Sequence, residues 1–226
     1  MQTRPAPSDK ARVRRHPERG DYDRATIDAI LDEALICHVA WVGEDGGPRV
    51  IPTIHARDGD TLYIHGSQAS RTLRALRTDL PLCLEATLID GLVLARSTFH
   101  HSMNYRSVVV YATAREVTDP DEMSRAQEIL VEHVVRGRAA EARPPTVDEL
   151  KQTAILAMPL DEASAKVRVG GPNDPEEDLR LDVWAGVLPL GLAVGEPVPA
   201  ADLKVGLDVP GYVRAYRRPG GGGLTA

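Results

Sequence analysis

The chain has 226 residues, 42% of them apolar and 27% charged, with a formal net charge of −6 at pH 7. That balance suits one globular core of moderate size and excludes a largely disordered chain, and no apolar run reaches the length of a bilayer span. Six of the 27 basic residues fall within residues 1–20 against only Asp9 and Glu18, yet no aromatics are interleaved, so a solvated arm is expected and no nucleic acid partner.

The organisation reads as a basic N-terminal arm (1–22), one domain (23–190) and a C-terminal extension (191–226), in which Pro219–Gly223 is expected to be flexible. The start has no apolar stretch to act as a signal, so a soluble, cytoplasmic protein with no membrane association is expected. Cys37 and Cys83 sit among apolar residues without metal-like spacing, as buried thiols of a reducing compartment would.

Asp23 caps a predicted helix to Ile36, whose Ile27, Ile30, Leu31, Ala34 and Leu35 recur on one face. Cys37–Val42 is apolar at nearly every position, predicting a strand buried on both faces. The turn Glu44-Asp45-Gly46-Gly47 leads to a strand from Arg49 to Ala56, and Arg57-Asp58-Gly59-Asp60 to another from Thr61 to His65. Residues 37–65 thus read as a three-stranded meander. A loop from Gly66 precedes a short helix from Ser70 to about Arg77 with Leu73 and Leu76 inward. Two long strands, Pro81–Ala95 and Tyr105–Val117, bring the predicted barrel to five strands. Asp119-Pro120-Asp121-Glu122 opens a helix, with Asp119 as cap and Glu122 at the capping-box position. After Pro144 and Pro145 come a short helix, Val147–Gln152, and a final strand, Ala154–Leu160. Ser164–Asp178 reads as loop.

Two segments carry chemistry. A strand, the Gly66-Ser67 loop, a Ser70 cap and Arg71 in the first helical turn offer unpaired N–H groups and a forked cation to an anion. His100-His101-Ser102-Met103-Asn104-Tyr105-Arg106-Ser107 is a polar, aromatic and basic cluster at the start of an apolar strand, suited to covering a planar ligand. No metal site is expected, since His55, His65, His100 and His101 have no acidic companion at ligand spacing. His38 and His133 read as hydrogen-bonded structural residues. Asp174–Asp178 reads as a solvated turn, and no nucleophile elbow, phosphate-binding loop or dinucleotide fingerprint is present.

The ordered motifs Arg49-Val50-Ile51-Pro52-Thr53, Asp60–Ser67, Ala69-Ser70-Arg71, His100–Val108, Ser164–Arg168, Gly171–Asp174 and Val183–Val187 resemble those of pyridoxamine 5'-phosphate oxidase-related, flavin-nucleotide-binding proteins, nitroimidazole-resistance-like proteins among them. The resemblance covers roughly Arg14 to Leu190. It implies a mainly β fold with peripheral helices, a split β-barrel that binds FMN. Arg49, Ser70 and Arg71 would hold the flavin phosphate. The backbone of Val50, Ile51, Pro52 and Thr53 on one side, and of Ile64, His65, Gly66 and Ser67 on the other, would flank the ring. Asn104, Tyr105 and Arg106 would approach from a second subunit, with Lys166, Arg168 and Trp184 in the same pocket. A homodimer with flavin sites at its interface follows, its contact expected to cover the Val108–Val110 strand as an exposed edge. The arginine and histidine grip on pyridoxal phosphate has no counterpart near the C-terminus, so vitamin synthesis is not expected. The implied activity is oxidation or reduction of a small organic substrate, nitroaromatics included. The alternatives are a non-enzymatic flavin sensor or carrier, and a split barrel that holds haem or a deazaflavin.

Overall fold

The computed structural model describes residues 4–217, so the glycine-rich Pro219–Gly223 stretch lies outside the described residues. In chain order the elements are β1 (Gly20–Asp21), α1 (Arg24–Glu33), β2 (Cys37–Val42), β3 (Pro48–Thr53), β4 (His55–Asp58), β5 (Thr61–Ser67), α2 (Arg71–Leu76) and β6 (Pro81–Leu94). There follow β7 (Ser102–Thr113), β8 (Arg115–Glu116), α3 (Pro120–Val134), α4 (Val147–Gln152), β9 (Thr153–Pro159), β10 (Ala163–Arg168), β11 (Gly186–Pro189) and α5 (Gly211–Arg214).

The strands form two antiparallel sheets. The larger runs β1-β10-β7-β6-β2-β3, with β11 beside the far end of β6, and the smaller runs β4-β5-β9-β8. Their inner faces share one core, to which β2, β5, β6, β7 and β9 contribute Val39, Ile64, Leu84, Val110 and Leu156, closed off by Ile30 and Leu31 of α1. Outside the smaller sheet, Tyr63, Ile155 and Ala157 are buried with Ala126 of α3 and packed by Met123. Among the described residues no helix is long and apolar enough to cross a membrane.

Several expectations are corrected by this arrangement. The first helix stops at Glu33, three residues short of Ile36, because the chain is already extended at Ala34 to feed β2. β2 is not buried on both faces: Cys37, Val39 and Trp41 point inward while His38 and Val42 face out, the alternation of a half-buried strand. The strand expected from Arg49 to Ala56 divides at Ile54 into β3 and β4, which belong to different sheets. The meander is therefore two hairpins, β2–β3 and β4–β5, joined where the sheets part. Pro52, which has no N–H to donate, sits on β3 at the open edge of the larger sheet.

Ala154–Leu160 is not the last strand. Ser164–Arg168, expected as loop, belongs to β10, which pairs with β7 on one side and β1 on the other. The small and charged residues of this segment hid a strand whose Ala163 and Ala165 are buried. As a result β7 is central, flanked by β6 and β10, and Val108 and Val110 already lie in the chain's own core. The edge that the Val-rich strand was expected to offer a partner does not exist. Glu122 leaves the expected capping box: Asp119 caps α3 by accepting from the Glu122 N–H, but the Glu122 carboxylate accepts from Arg115 and Tyr63.

Candidate functional site

The loop from Gly66 to Ser70 is fixed from both sides. The Gln68 N–H donates to the Gln152 carbonyl at 2.9 Å, and its side-chain amide donates to the Thr153 carbonyl at 3.0 Å. Ser70 caps α2 by accepting from the Leu73 N–H at 3.4 Å. A Cβ at Gly66 would stand 2.9 Å from Cδ1 of Leu73, so a larger residue there would shift the end of that side chain. Arg71 is set at the exposed start of α2.

Opposite lies β3. Its Val50 and Pro52 face solvent, and Ile51 packs on the core. The β4–β5 ladder begins at His55, paired with Ile64, whereas Thr53 pairs with Cys37 in the larger sheet. The Ile64 side chain is fully buried in the core, leaving only its backbone to a ligand. His65 is half-buried, and its Nδ1 is enclosed with no protein partner; burial holds its pKa below that of a free imidazole. Such an orphaned nitrogen beside a glycine-lined seam fits a polar ligand group. Arg49 stands at the far end of β3, about 13 Å of extended chain before Thr53. Its guanidinium donates to Asp45 at 2.6 Å.

The second group of candidates lies elsewhere in the chain. β7 is three strands from β3, roughly 14 Å across the sheet. Asn104 is buried and its side-chain oxygen accepts from Arg168, which also donates to the carbonyls of Gly170 at 3.2 Å and Gly171 at 3.0 Å. Tyr105 pairs with Arg168, and Lys166 with Ser107, across the β7–β10 ladder. The Arg106 guanidinium is clamped between Asp90, at 2.7 and 2.9 Å, and the buried Glu33, which together hold its pKa above the ordinary arginine value. Trp184 is largely exposed with its ring against Gly186. Within one chain, then, 50–53 and 64–71 lie in different sheets on either side of the division at Ile54, and Asn104, Tyr105, Arg106, Lys166 and Trp184 lie on or beyond β7 and β10. Among the described residues no three His, Cys, Asp or Glu side chains stand close enough to hold a metal ion.

One feature escaped the sequence reading. After β11 the chain forms a strap: Leu190 N–H donates to the Asp90 carbonyl, and α5 docks again where Tyr212 packs on Gly137 and bonds Arg138 at 3.1 Å. Beside it lies an open groove of about 1400 Å³ whose lining mixes apolar side chains such as Ile36, Ile89 and Leu192 with the charged Asp90, Arg106 and Glu196. The signal was present in the alternation Leu188, Leu190, Leu192, Val194, which continues the period of a strand past the point where pairing ends.

The model of the family described as pyridoxamine 5'-phosphate oxidase matches residues 23–167. No curated protein matches the chain. Among solved structures, the flavocytochrome Anf3 of Azotobacter vinelandii is 36% identical with a TM-score of 0.88, covering 94% of this chain and 98% of its own. The FAD and haem binding protein of Mycobacterium smegmatis is 37% identical with a TM-score of 0.83, covering 87% of this chain and 96% of its own. A candidate 5-nitroimidazole antibiotic resistance protein of Bacteroides thetaiotaomicron, 22% identical with a TM-score of 0.56, covers 66% of this chain and 86% of its own and shares the fold. With its two antiparallel sheets around one core, its peripheral helices and these matches, the chain has the split-barrel fold and belongs to the pyridoxamine 5'-phosphate oxidase family.

Proposed function

We propose that the chain is a cytoplasmic flavin-dependent oxidoreductase that also carries a haem, acting as a homodimer on a small organic electron acceptor. One observation carries this reading: two solved proteins of 36% and 37% identity, named for flavin and haem, match 94% and 87% of the chain. The seam supports the flavin half. Its glycine-lined backbone, the enclosed His65 Nδ1 and the exposed Arg71 suit a ring on one side and a phosphate on the other. When bound, a flavin supplies two-electron chemistry that can be released in single steps, and a haem supplies a one-electron site. The protein's own part is to bind, orient and exclude water.

FMN satisfies the phosphate anchors proposed at Arg49, Ser70 and Arg71. FAD is the second reading, favoured by the name of the mycobacterial relative, and the same anchors would serve its first phosphate. Asn104, Tyr105, Arg106, Lys166 and Trp184 reach a flavin only in a dimer, because one chain keeps them from the seam. A reducing cytoplasm accords with Cys37 and Cys83 as free thiols, the former pushed up to about 12 by burial. The absorption spectrum of the purified protein, with chromatography of the released cofactor, tests the reading. Flavin bands together with a Soret band are expected. A colourless protein that stays colourless after incubation with FMN, FAD and haemin overturns it. Turnover with NAD(P)H and a nitroaromatic panel then separates an enzyme from a carrier.

A further inference from the structure

We propose that Arg168 and Arg19 form an anion site at the β1–β10 edge of the larger sheet, and that it takes a phosphate group of a small ligand. The site lies apart from the seam and stands whatever the seam holds.

The first ground is a buried charge without a counter-charge. Arg168 closes β10 and is buried. Its Nη1 donates to the Asn104 side-chain oxygen and to the Gly170 carbonyl at 3.2 Å, and its Nη2 to the Gly171 carbonyl at 3.0 Å. All three acceptors are neutral. The buried Glu33 is matched by Arg106, but Arg168 has no carboxylate partner among the described residues. A buried charge costs free energy unless it is paired. A guanidinium carries five N–H donors, so three bonds leave Nε and one Nη2 hydrogen, the forked side that grips two oxygens of one phosphate.

The second ground is a like charge set against it. Arg19 immediately precedes β1, whose Gly20 pairs with Lys166 two residues before Arg168. Burial, and then the charge of Arg19, hold the Arg168 pKa below the ordinary arginine value. Arg57 and Arg106, which have carboxylate partners, are shifted the other way. Arg19 has only a 3.9 Å contact with Glu18, whose carboxylate already bonds His16 at 2.9 Å. Lys166, on the same face of β10 as Arg168, makes no ion pair among the described residues. Repulsion of this kind is relieved when a ligand brings the missing charge, and a phosphate dianion matches two cations where a carboxylate matches one.

The third ground is access. Beside the loop that Arg168 holds there is open space: a Cβ added at Gly170 or Gly171 would meet nothing within 4 Å. The basic N-terminal arm, expected to be solvated, is docked next to the same edge. Ala11 is buried, Lys10 Nζ lies 5.1 Å from the centre of the Tyr111 ring, and the Val13 N–H donates to the Tyr22 hydroxyl at 2.8 Å. Val13 also covers Gly20, where a Cβ would stand 3.0 Å from its own. A chain of net charge −6 thus gathers fixed positive charge along one edge, and such a field draws anions.

The test titrates the full chain, freed of cofactor, with inorganic pyrophosphate by calorimetry at low salt, with thermal melting in parallel. The wild type and Arg71→Ala should both bind it, since Arg71 lies at the seam. Arg19→Ala should weaken it about ten-fold and yet raise the melting temperature of the ligand-free protein, because the repulsion is gone. Arg168→Lys keeps the charge, loses the fork and should weaken it at least as much. Arg19→Ala makes none of the loop bonds, so it decides the question if Arg168→Lys melts early. FMN, FAD and AMP titrations then name the source. Weaker FAD with unchanged FMN in Arg19→Ala assigns the site to the second phosphate of a flavin dinucleotide, and weaker AMP with both flavins unchanged assigns it to a separate nucleotide. The proposal is overturned if the wild type does not bind pyrophosphate, if Arg71→Ala alone abolishes binding, or if Arg19→Ala and Arg168→Lys both bind it as the wild type does.

Discussion

The two sheets share a core but differ on their outer faces. On the smaller sheet the outward residues Tyr63, Ile155 and Ala157 are buried under α3. On the larger sheet the same alternation sends Val42 and Val50 outward, at 57% and 63% exposure, and no described helix lies on β2 or β3. One face is finished by the chain itself. The other leaves apolar side chains bare. A sheet surface of this kind marks where a second molecule belongs. The homodimer proposed above would cover it.

The sharpest way to break the comparison is to cut each face in turn. Ile155→Ala removes a side chain that is fully buried between β9 and α3, and should destabilise the chain by about 3–4 kcal/mol in urea unfolding. Val50→Glu should leave the unfolding midpoint of the isolated chain nearly unchanged, yet convert a dimer to a monomer in light scattering and lower flavin content with it. A Val50→Glu protein that remains a dimer with full flavin would show that the bare face is simply surface.

The second contrast is electrostatic. His55 is fully buried beside α1, its Nε2 donating to the Leu31 carbonyl at 3.0 Å and its ring 5.0 Å from that of His133. Burial, reinforced by His133, pushes its pKa down to about 4, so the native state holds it neutral. Between the unfolded value near 6.5 and about 4 the unfolded chain binds the proton more readily. Stability is therefore fully present above about pH 6.5 and lost as pH falls toward 4, by about 3 kcal/mol from this group. His133, shifted in the same direction by burial, adds to the loss. Urea midpoints at pH 7 and pH 4.5 measure it, and a His55→Gln variant should show a visibly flatter profile. An equal slope in the variant would refute the assignment.

Most of the barrel was legible because its signals are local. Asp23, Ser70, Asp119 and Thr146 cap helices through their own side chains, and the Gly59 turn sits at positive φ as its sequence demands. What failed depended on distant partners. β10 has weak strand propensity and exists because β7 and β1 pair with it, so nothing within Ser164–Arg168 announced it. The division at Ile54 is set by which sheet each half joins, and the residues of Arg49–Ala56 do not encode that locally. The site followed the same rule. Ser70 and Arg71 follow one another in the sequence, so they could be singled out there as one candidate anion-binding element.

The smallest expected effect separates two arginines that the family resemblance treats alike. Arg71 is exposed at the start of α2 with no carboxylate partner among the described residues, whereas Arg49 is ion-paired with Asp45 at 2.6 Å and stands at the far end of β3. A phosphate at the seam would gain about 1.5–3 kcal/mol from a charge-assisted bond to Arg71, but Arg49 must first leave Asp45, an exposed pair worth about 0–1 kcal/mol, and reach across. Arg71→Ala should therefore weaken FMN by about ten- to one-hundred-fold, and Arg49→Ala by less. Riboflavin, which has no phosphate, should bind the wild type and both variants equally. Flavin fluorescence titration of the apoprotein measures all six constants, with melting temperatures confirming that neither exposed substitution unfolds the chain. Loss of riboflavin affinity in parallel with FMN would mean that Arg71 supports the fold of the loop and does not hold the phosphate. A larger loss from Arg49→Ala would mean that ligand binding draws Arg49 away from Asp45 and turns the end of β3 into the principal anchor.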